Sequence, residues 1–281
     1  MKTQILEISS GNFLEVVTQG EVSSRAFVVH HGGFGCAEGM APIYRASESS
    51  GIFVIGITRG GYAASTRREG RNAGDYVKET KFALDYFGVR EFVSFGWSSG
   101  GLAVISDLQD LRCKGGITIA SDAEIANPEW PRYLERYPAN NWKTIPFPNI
   151  DISNFANVSA EEFEAALSIV LSEPDHLMMQ GKFGEELAAG VRHGMKAGPY
   201  GIMDDSFANE SEWRIDYSTI NLPVAIYQGI EDRICTPAHG HFLADKLQKS
   251  ELKLFQNQGH LSLIYDLAQD MVEQGFKYFR N

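Results

Sequence analysis

A serine set between glycines is the feature of this chain with the clearest chemical meaning. Gly96-Trp97-Ser98-Ser99-Gly100 fits G-x-S-x-G, the pattern of a nucleophile elbow, in which a strained turn from strand to helix lifts a serine hydroxyl clear of the backbone. Five letters recur by chance in a chain rich in Gly and Ser, so the setting has to decide. EFVSF before the motif reads as a strand and GLAVISDL after it as a helix, which is the required setting. The register is fixed too, because a Ser99 nucleophile would need glycine at position 97, where Trp97 stands. Ser98 is therefore the candidate nucleophile, and Ser99 supplies a backbone N–H behind it.

A nucleophilic serine needs a base, and the base needs an acid to orient it. Late in the chain, YQGIEDRICTP sets Asp232 just beyond a strand, and LFQNQGH sets His260 at the end of the next one. Ser98, Asp232 and His260 follow the chain order Ser, Asp, His of elbow-type hydrolases. Glu231 and Asp122, the latter just after GGITIAS, are the rival acids. Of the other histidines, His30 and His31 lie in a Gly-rich loop and His176 and His193 in a helical interval; His239 and His241, spaced H-x-H, read as too isolated for a metal site. Upstream, RAFVVHHGGFG ends a strand in His31-Gly32-Gly33. A turn bare of side chains exposes main-chain N–H groups to a developing oxyanion, and Gly33 is the favoured donor. The same glycines have the wrong spacing for a phosphate-binding G-x-G-x-x-G loop.

The elements that must position these residues follow from alternation of short apolar runs with amphipathic stretches. RAFVVHHGG, IFVIGITRGG, EFVSFGW and GGITIAS read as buried parallel strands, after two earlier runs, ILEIS and FLEVV. Val77, Thr80, Ala83, Leu84 and Phe87 share a helical face that Gly88 closes as a C-cap. The rhythm resumes with LPVAIYQG, a helix through HFLADKL, the strand ELKLFQ, and a last helix with Ile264, Leu267, Ala268 and Met271 on one face. Such alternation builds an open, mostly parallel sheet covered on both sides. The interval between GGITIAS and LPVAIYQG has no strand-like run and reads as a helical insertion. The division is then a core of residues 1–123 and 216–281 with a helical cap of residues 124–215.

Composition excludes several classes of function. The chain of 281 residues carries 36 Asp and Glu against 25 Lys and Arg, a net charge of -11, and is a poor partner for nucleic acid or anionic lipid. Most of that excess lies between residues 124 and 214, which hold 15 acidic and 7 basic side chains. This acidity reads either as a solvated surface or as a lid that disfavours anionic substrates. Three widely spaced cysteines (Cys36, Cys113, Cys235) suit a reducing cytoplasm, and no apolar window reaches the roughly 18 residues of a membrane span.

From about residue 14 onward the chain resembles the α/β-hydrolase superfamily, in particular the capped group that includes proline iminopeptidase-like enzymes, esterases and lactonases. HHGGFG resembles its oxyanion loop, ITRGGYAAS its DRPGYGxS stretch, FGWSSGG its elbow, and YQGIEDRICTP and NQGH its acid and histidine segments. Phe34 stands where many relatives have Pro, and Thr58 where they have Asp. The resemblance implies an α/β-hydrolase fold with an inserted helical cap, a Ser98-His260-Asp232 triad, oxyanion donors at Gly33 and Ser99, and no metal or organic cofactor. A small, neutral or cationic carboxylic ester is the first substrate expected. An aminopeptidase, with Glu161, Glu162, Asp204 or Asp205 holding a substrate amine, is the second. A ligand sensor that keeps the fold without turnover is the third. Trp130, Tyr133, Trp142, Phe147, Phe155, Met178 and Met179 are the candidates to line an apolar pocket.

Overall fold

The computed structural model describes residues 1–137 and 151–280, and Trp142 and Phe147 lie outside them. Eight strands form one sheet: β1 Lys2–Ser9, β2 Asn12–Gln19, β3 Arg25–His30, β4 Phe53–Thr58, β5 Glu91–Trp97, β6 Cys113–Ile119, β7 Val224–Gly229 and β8 Ser250–Phe255. Their spatial order is β1-β2-β4-β3-β5-β6-β7-β8. β1 and β2 pair antiparallel, as do β2 and β4, and every other neighbouring pair runs parallel. The two outer N-terminal runs are thus an antiparallel hairpin appended to the six-stranded parallel array that the sequence pattern anticipates.

The central strands are apolar at consecutive positions because both faces are covered. Along β3, Phe27 and Val29 enter one core cluster while Ala26 and Val28 enter the other, on the opposite face. Helix α1 (Ala41–Ser47) and α2 (Val77–Phe87) follow β3 and β4, and α3 (Gly100–Asp107) follows β5. Gly88 ends α2 with φ +71°, in the left-handed region where glycine carries no Cβ penalty. Between β6 and β7 the described residues hold helices α4 (Trp130–Arg136), α5 (Ala160–Leu167), α6 (Glu173–Met179), α7 (Lys182–Gly194) and α8 (Tyr200–Glu210), with no strand among them. Helix α9 (Pro237–Lys246) joins β7 to β8. The last helix differs from its expected form: α10 (Ser262–Asp266) stops, and α11 (Ala268–Tyr278) starts after a break at Leu267, whose φ and ψ of -107° and 9° leave the helical well. Ile264 and Met271 both remain in the core, so the apolar face survives the break. Among the described residues no helix is long and apolar enough to cross a membrane.

Candidate active site

Ser98 sits on the tight turn between β5 and α3 with φ +55°, a left-handed conformation for a residue with a side chain. Holding it there costs of order 1 kcal/mol or more. Both flanking glycines are sterically required: a Cβ on Gly96 would collide with the Gly100 carbonyl, and one on Gly100 with the His30 carbonyl. The turn presents Ser98 to a cavity of about 350 Å³, whose walls include Trp97, Asp122, His239 and His260.

Asp232 follows β7 and His260 follows β8, and the two meet at 3.0 Å, His260 Nδ1 to Asp232 Oδ2. Both are buried. The other oxygen, Oδ1, accepts the N–H groups of Ile234 and Cys235 at 2.9 Å, which fixes the carboxylate plane. Burial opposes a charge on the imidazole, but the charge and hydrogen bond of Asp232 outweigh it and hold the His260 pKa above its ordinary value. With Nδ1 committed to Asp232, Nε2 is left for the cavity. His260 and Ser98 line that cavity together, without a direct hydrogen bond between them. Of the rival acids, Asp122 accepts the Cys235 thiol at 3.3 Å instead. Glu231 makes no hydrogen bond or ion pair with His260 among the described residues.

The loop after β3 is braced from behind. His31 Nδ1 donates to the Gly32 carbonyl at 2.6 Å while its Nε2 accepts the Arg59 N–H at 3.1 Å, so the ring is the neutral Nδ1–H tautomer. Burial, reinforced by Arg59, holds the His31 pKa well below the ordinary histidine value. The fully buried Arg59 guanidinium also donates to the carbonyls of His31 and Gly32 and, at 3.0 Å, to Ser99 Oγ. In a trans peptide the C=O and the following N–H point opposite ways. Fastening the Gly32 carbonyl toward Arg59 therefore turns the Gly33 N–H away from it. Neither the Gly33 nor the Ser99 N–H has an acceptor among the described residues, and both residues line the cavity.

A family model described as the alpha/beta hydrolase fold matches residues 25–267. The chain belongs to the alpha/beta hydrolase fold family. It is 24% identical over 207 residues to a proline iminopeptidase of Lactobacillus acidophilus, an overlap of 67% of this chain and 66% of that relative, so it spans just under two thirds of the relative's length. Among solved structures it is similar to a hydrolase from Pseudomonas aeruginosa (TM-score 0.72, 17% identity, 99% and 98% of the two chains). It is also similar to an esterase from Exiguobacterium antarcticum (0.69, 16%, 100% of both) and to a bromoperoxidase from Bacillus anthracis (0.71, 17%, 100% of both). Neighbours with such different names share a fold, so the reaction has to be argued from the site.

Besides Arg59, two site-bracing residues of this hydrolase-fold chain escape sequence reasoning, and both come from the helical segment between β6 and β7. Asp205 on α8 accepts from Arg59, Arg71, Tyr62 and Tyr76 at 2.6 to 3.2 Å. Burial alone would raise its pKa, but the two guanidinium groups hold it far below the usual carboxylate range. Asp175 on α6 accepts the N–H groups of His260, Leu261 and Ser262 at 2.8 to 2.9 Å and so caps α10 from outside. One buried carboxylate thus fastens the loop of the expected oxyanion donors and another the loop of the expected base. The only local signal was a capping box, Ser172 to Asp175.

These contacts correct several expectations. Asp205 lines the cavity but its oxygens are taken, and Asp204 is held by Arg67 at 2.9 and 3.0 Å. Glu162 caps α5, and Glu161 is exposed and away from the cavity walls. None of the four is disposed to hold a substrate amine. Thr58, in place of the family's Asp, donates to Glu15 at 3.1 Å and accepts the Ala37 N–H at 3.0 Å. Of the expected pocket aromatics and methionines within the described residues, only Trp130 reaches the cavity. Phe155 and Met179 pack into the core, Met178 packs against its edge, and Tyr133 bonds Asp245. Phe163, Leu167, Val170, Leu187 and Ile202 line the cavity instead.

His239 is buried and cavity-lining, contrary to its expected isolation: its ring, Cys235 Sγ and an Asp122 oxygen lie within 4.8 Å of one another. That donor set could hold a zinc ion in principle. The ring chemistry opposes it. His239 Nδ1 accepts the Ala123 N–H at 2.9 Å, so the neutral ring carries its proton on Nε2 and offers no lone pair there.

Proposed function

We propose that this protein is a serine hydrolase that cleaves a small carboxylic ester through an acyl-enzyme. The observation that carries this reading is the buried His260–Asp232 pair at 3.0 Å opening onto the same cavity as Ser98, on its strained turn. In the first step His260 Nε2 takes the Ser98 proton as Oγ bonds to the substrate carbonyl carbon, and the negative charge collects on the carbonyl oxygen. The free N–H groups of Gly33 and Ser99 stabilise that oxyanion. Collapse of the tetrahedral species breaks the C–O bond to the alcohol, which leaves with the proton from His260. Water then attacks the acyl-enzyme, giving its proton to His260, and the acid is released as the proton returns to Ser98 Oγ. No metal or organic cofactor enters these steps.

In this reading the helical segment between β6 and β7, residues 124–215 by the sequence division, acts as the cap, supplying the apolar roof through Phe163, Leu167, Val170, Leu187 and Ile202. The aminopeptidase reading draws on the similarity to a proline iminopeptidase, but its amine anchors in the cap are already bonded or solvent-facing. The ester reading is therefore preferred. A fluorophosphonate probe tests it and separates an enzyme from a sensor. The expected result is one adduct on the peptide spanning Gly96 to Gly101, abolished in Ser98→Ala together with p-nitrophenyl ester turnover, and kept in Ser99→Ala. A folded wild-type protein that neither labels nor turns over activated esters would overturn the proposal.

A further inference from the structure

The cavity is apolar over most of its wall, with one polar stretch beside Ser98 that the proposed triad does not use. His239 lies there, 5% exposed. Its Nδ1 is spent on the Ala123 N–H, so its Nε2–H faces the cavity side without a hydrogen-bond partner among the described residues. Asn209, on α8, has its side chain beside Asp122, and its Oδ1 is buried and unpartnered. Asp122 completes the group, taking the Cys235 thiol at 3.3 Å. The Ser98 hydroxyl neighbours the same sulfur, which places the carboxylate on the flank of the nucleophile.

A buried acceptor left without a partner is costly to the fold unless a ligand completes it, and the His239 donor opens on the same cavity. We propose that Asp122, Asn209 and His239 form a recognition subsite for a neutral group that both donates and accepts a hydrogen bond, a hydroxyl or secondary amide carried by the acyl part of the substrate close to the scissile carbonyl. The inference rests on the serine-hydrolase reading and narrows its substrate class to hydroxyacyl or acylaminoacyl esters. A free ammonium answers Asp122 and Asn209 Oδ1 but has no lone pair for His239 Nε2–H. A plain alkyl chain leaves the His239 donor and the Asn209 acceptor unanswered. The acyl side is assigned because the thiol that Asp122 accepts neighbours Ser98, where the acyl group stays through both steps.

The test compares kcat/KM for p-nitrophenyl butyrate, p-nitrophenyl 3-hydroxybutyrate, and the p-nitrophenyl esters of N-acetylglycine and glycine, with fluorophosphonate labelling of Ser98 as an independent measure of the serine chemistry. The wild type should label and should prefer the hydroxy or acetamido ester over the plain acyl ester by about tenfold or more. Asp122→Asn and His239→Phe should each bring that ratio close to one. Asn209→Ala, a smaller change at the same wall, should lower it part of the way and covers the case in which the other variants do not fold. Labelling with no such preference, or a preference untouched by all folded variants, would overturn the subsite alone. A preference for the glycyl ester over its acetylated form would overturn it in favour of an ammonium site. Failure to label would overturn the serine-hydrolase reading, and the subsite with it.

Discussion

Asp205 and Asp122 are both carboxylates on the wall of one cavity, and their surroundings treat them in opposite ways. Asp205 is saturated: two guanidinium groups and two phenols converge on it, and its pKa lies far below the ordinary value although burial opposes this. Asp122 receives a thiol and has the Asn209 side chain beside it, neither charged, and burial prevails, raising its pKa. The consequences for stability have opposite signs. A lowered carboxylate stabilises the fold above its unfolded pKa of about 4, and that contribution is lost as pH falls through the folded value. A raised carboxylate costs stability as pH climbs from about 4 through the folded value. Asp205 therefore strengthens the fold at pH 7 and Asp122 weakens it. A destabilising group retained on a cavity wall is what a recognition role leads one to expect.

A third buried carboxylate sets the scale. Asp232→Asn should lower kcat by roughly three to four orders of magnitude, the penalty for misorienting a triad histidine. It should also move the acid limb of the pH-rate profile downward, because Asp232 is the main cause that raises the His260 pKa. In the wild type, acylation should fall as pH drops through a value above about 6.5. A profile that Asp232→Asn leaves in place would remove Asp232 from this role.

The next largest effect belongs to Asp205. Replacing it with Asn leaves Arg59 and Arg71 buried without the carboxylate they are bonded to, which should cost roughly 3 to 5 kcal/mol in denaturant unfolding. Asp122→Asn, by contrast, should be neutral or stabilising at pH 7. Equal losses in the two variants would erase the contrast between the sites.

The smallest effect is expected at His193 on α7, which meets Glu15 of β2 at 3.0 Å and is partly exposed. Its bond to Glu15 raises the His193 pKa, so the histidine part of the stability is complete below about 6.5 and is lost as pH rises through the folded value. Burial works to raise Glu15, but His193 outweighs it and the net shift is downward; that part is present above about 4.5 and is lost as pH falls through the folded value. The pair is thus worth most between those limits. His193→Gln should remove no more than about 1 kcal/mol, chiefly in that window, as read from melting curves at several pH values.

What could be read in the sequence was whatever is written locally. Strands declare themselves by consecutive apolar residues, the elbow by glycines that its own turn requires, and Asp232 and His260 by their places after successive strands. Arg59, Asp175 and Asp205 could not be read, because a buried ion pair looks in sequence like any surface charge. Arg59 and Asp205 are 146 residues apart, and Asp175 lies 85 residues before His260. The same blindness made the acidity of residues 124–214 look uniform. Asp175, Asp204 and Asp205 are buried and bonded there, while Glu161 and Glu162 are exposed. His239 was misjudged for a related reason: only the fold brings the end of β6 against α9 and sets its ring between Ala123 and Trp130.

The fastening of both site loops by Asp175 and Asp205 bears on how such a chain can be recombined. A helical segment that merely roofed the cavity could be exchanged between relatives as a module, its junctions at the ends of β6 and β7. Here the exchange would carry away the counter-charge of Arg59 and Arg71 and the cap of α10 along with the roof. A transplanted segment would have to bring carboxylates to the same two points in space, or the sheet-bound half of the site would lose its shape before any substrate arrived. Specificity and scaffold are joined in one piece of chain, so variation in this protein is more readily accommodated at single wall positions than by wholesale replacement.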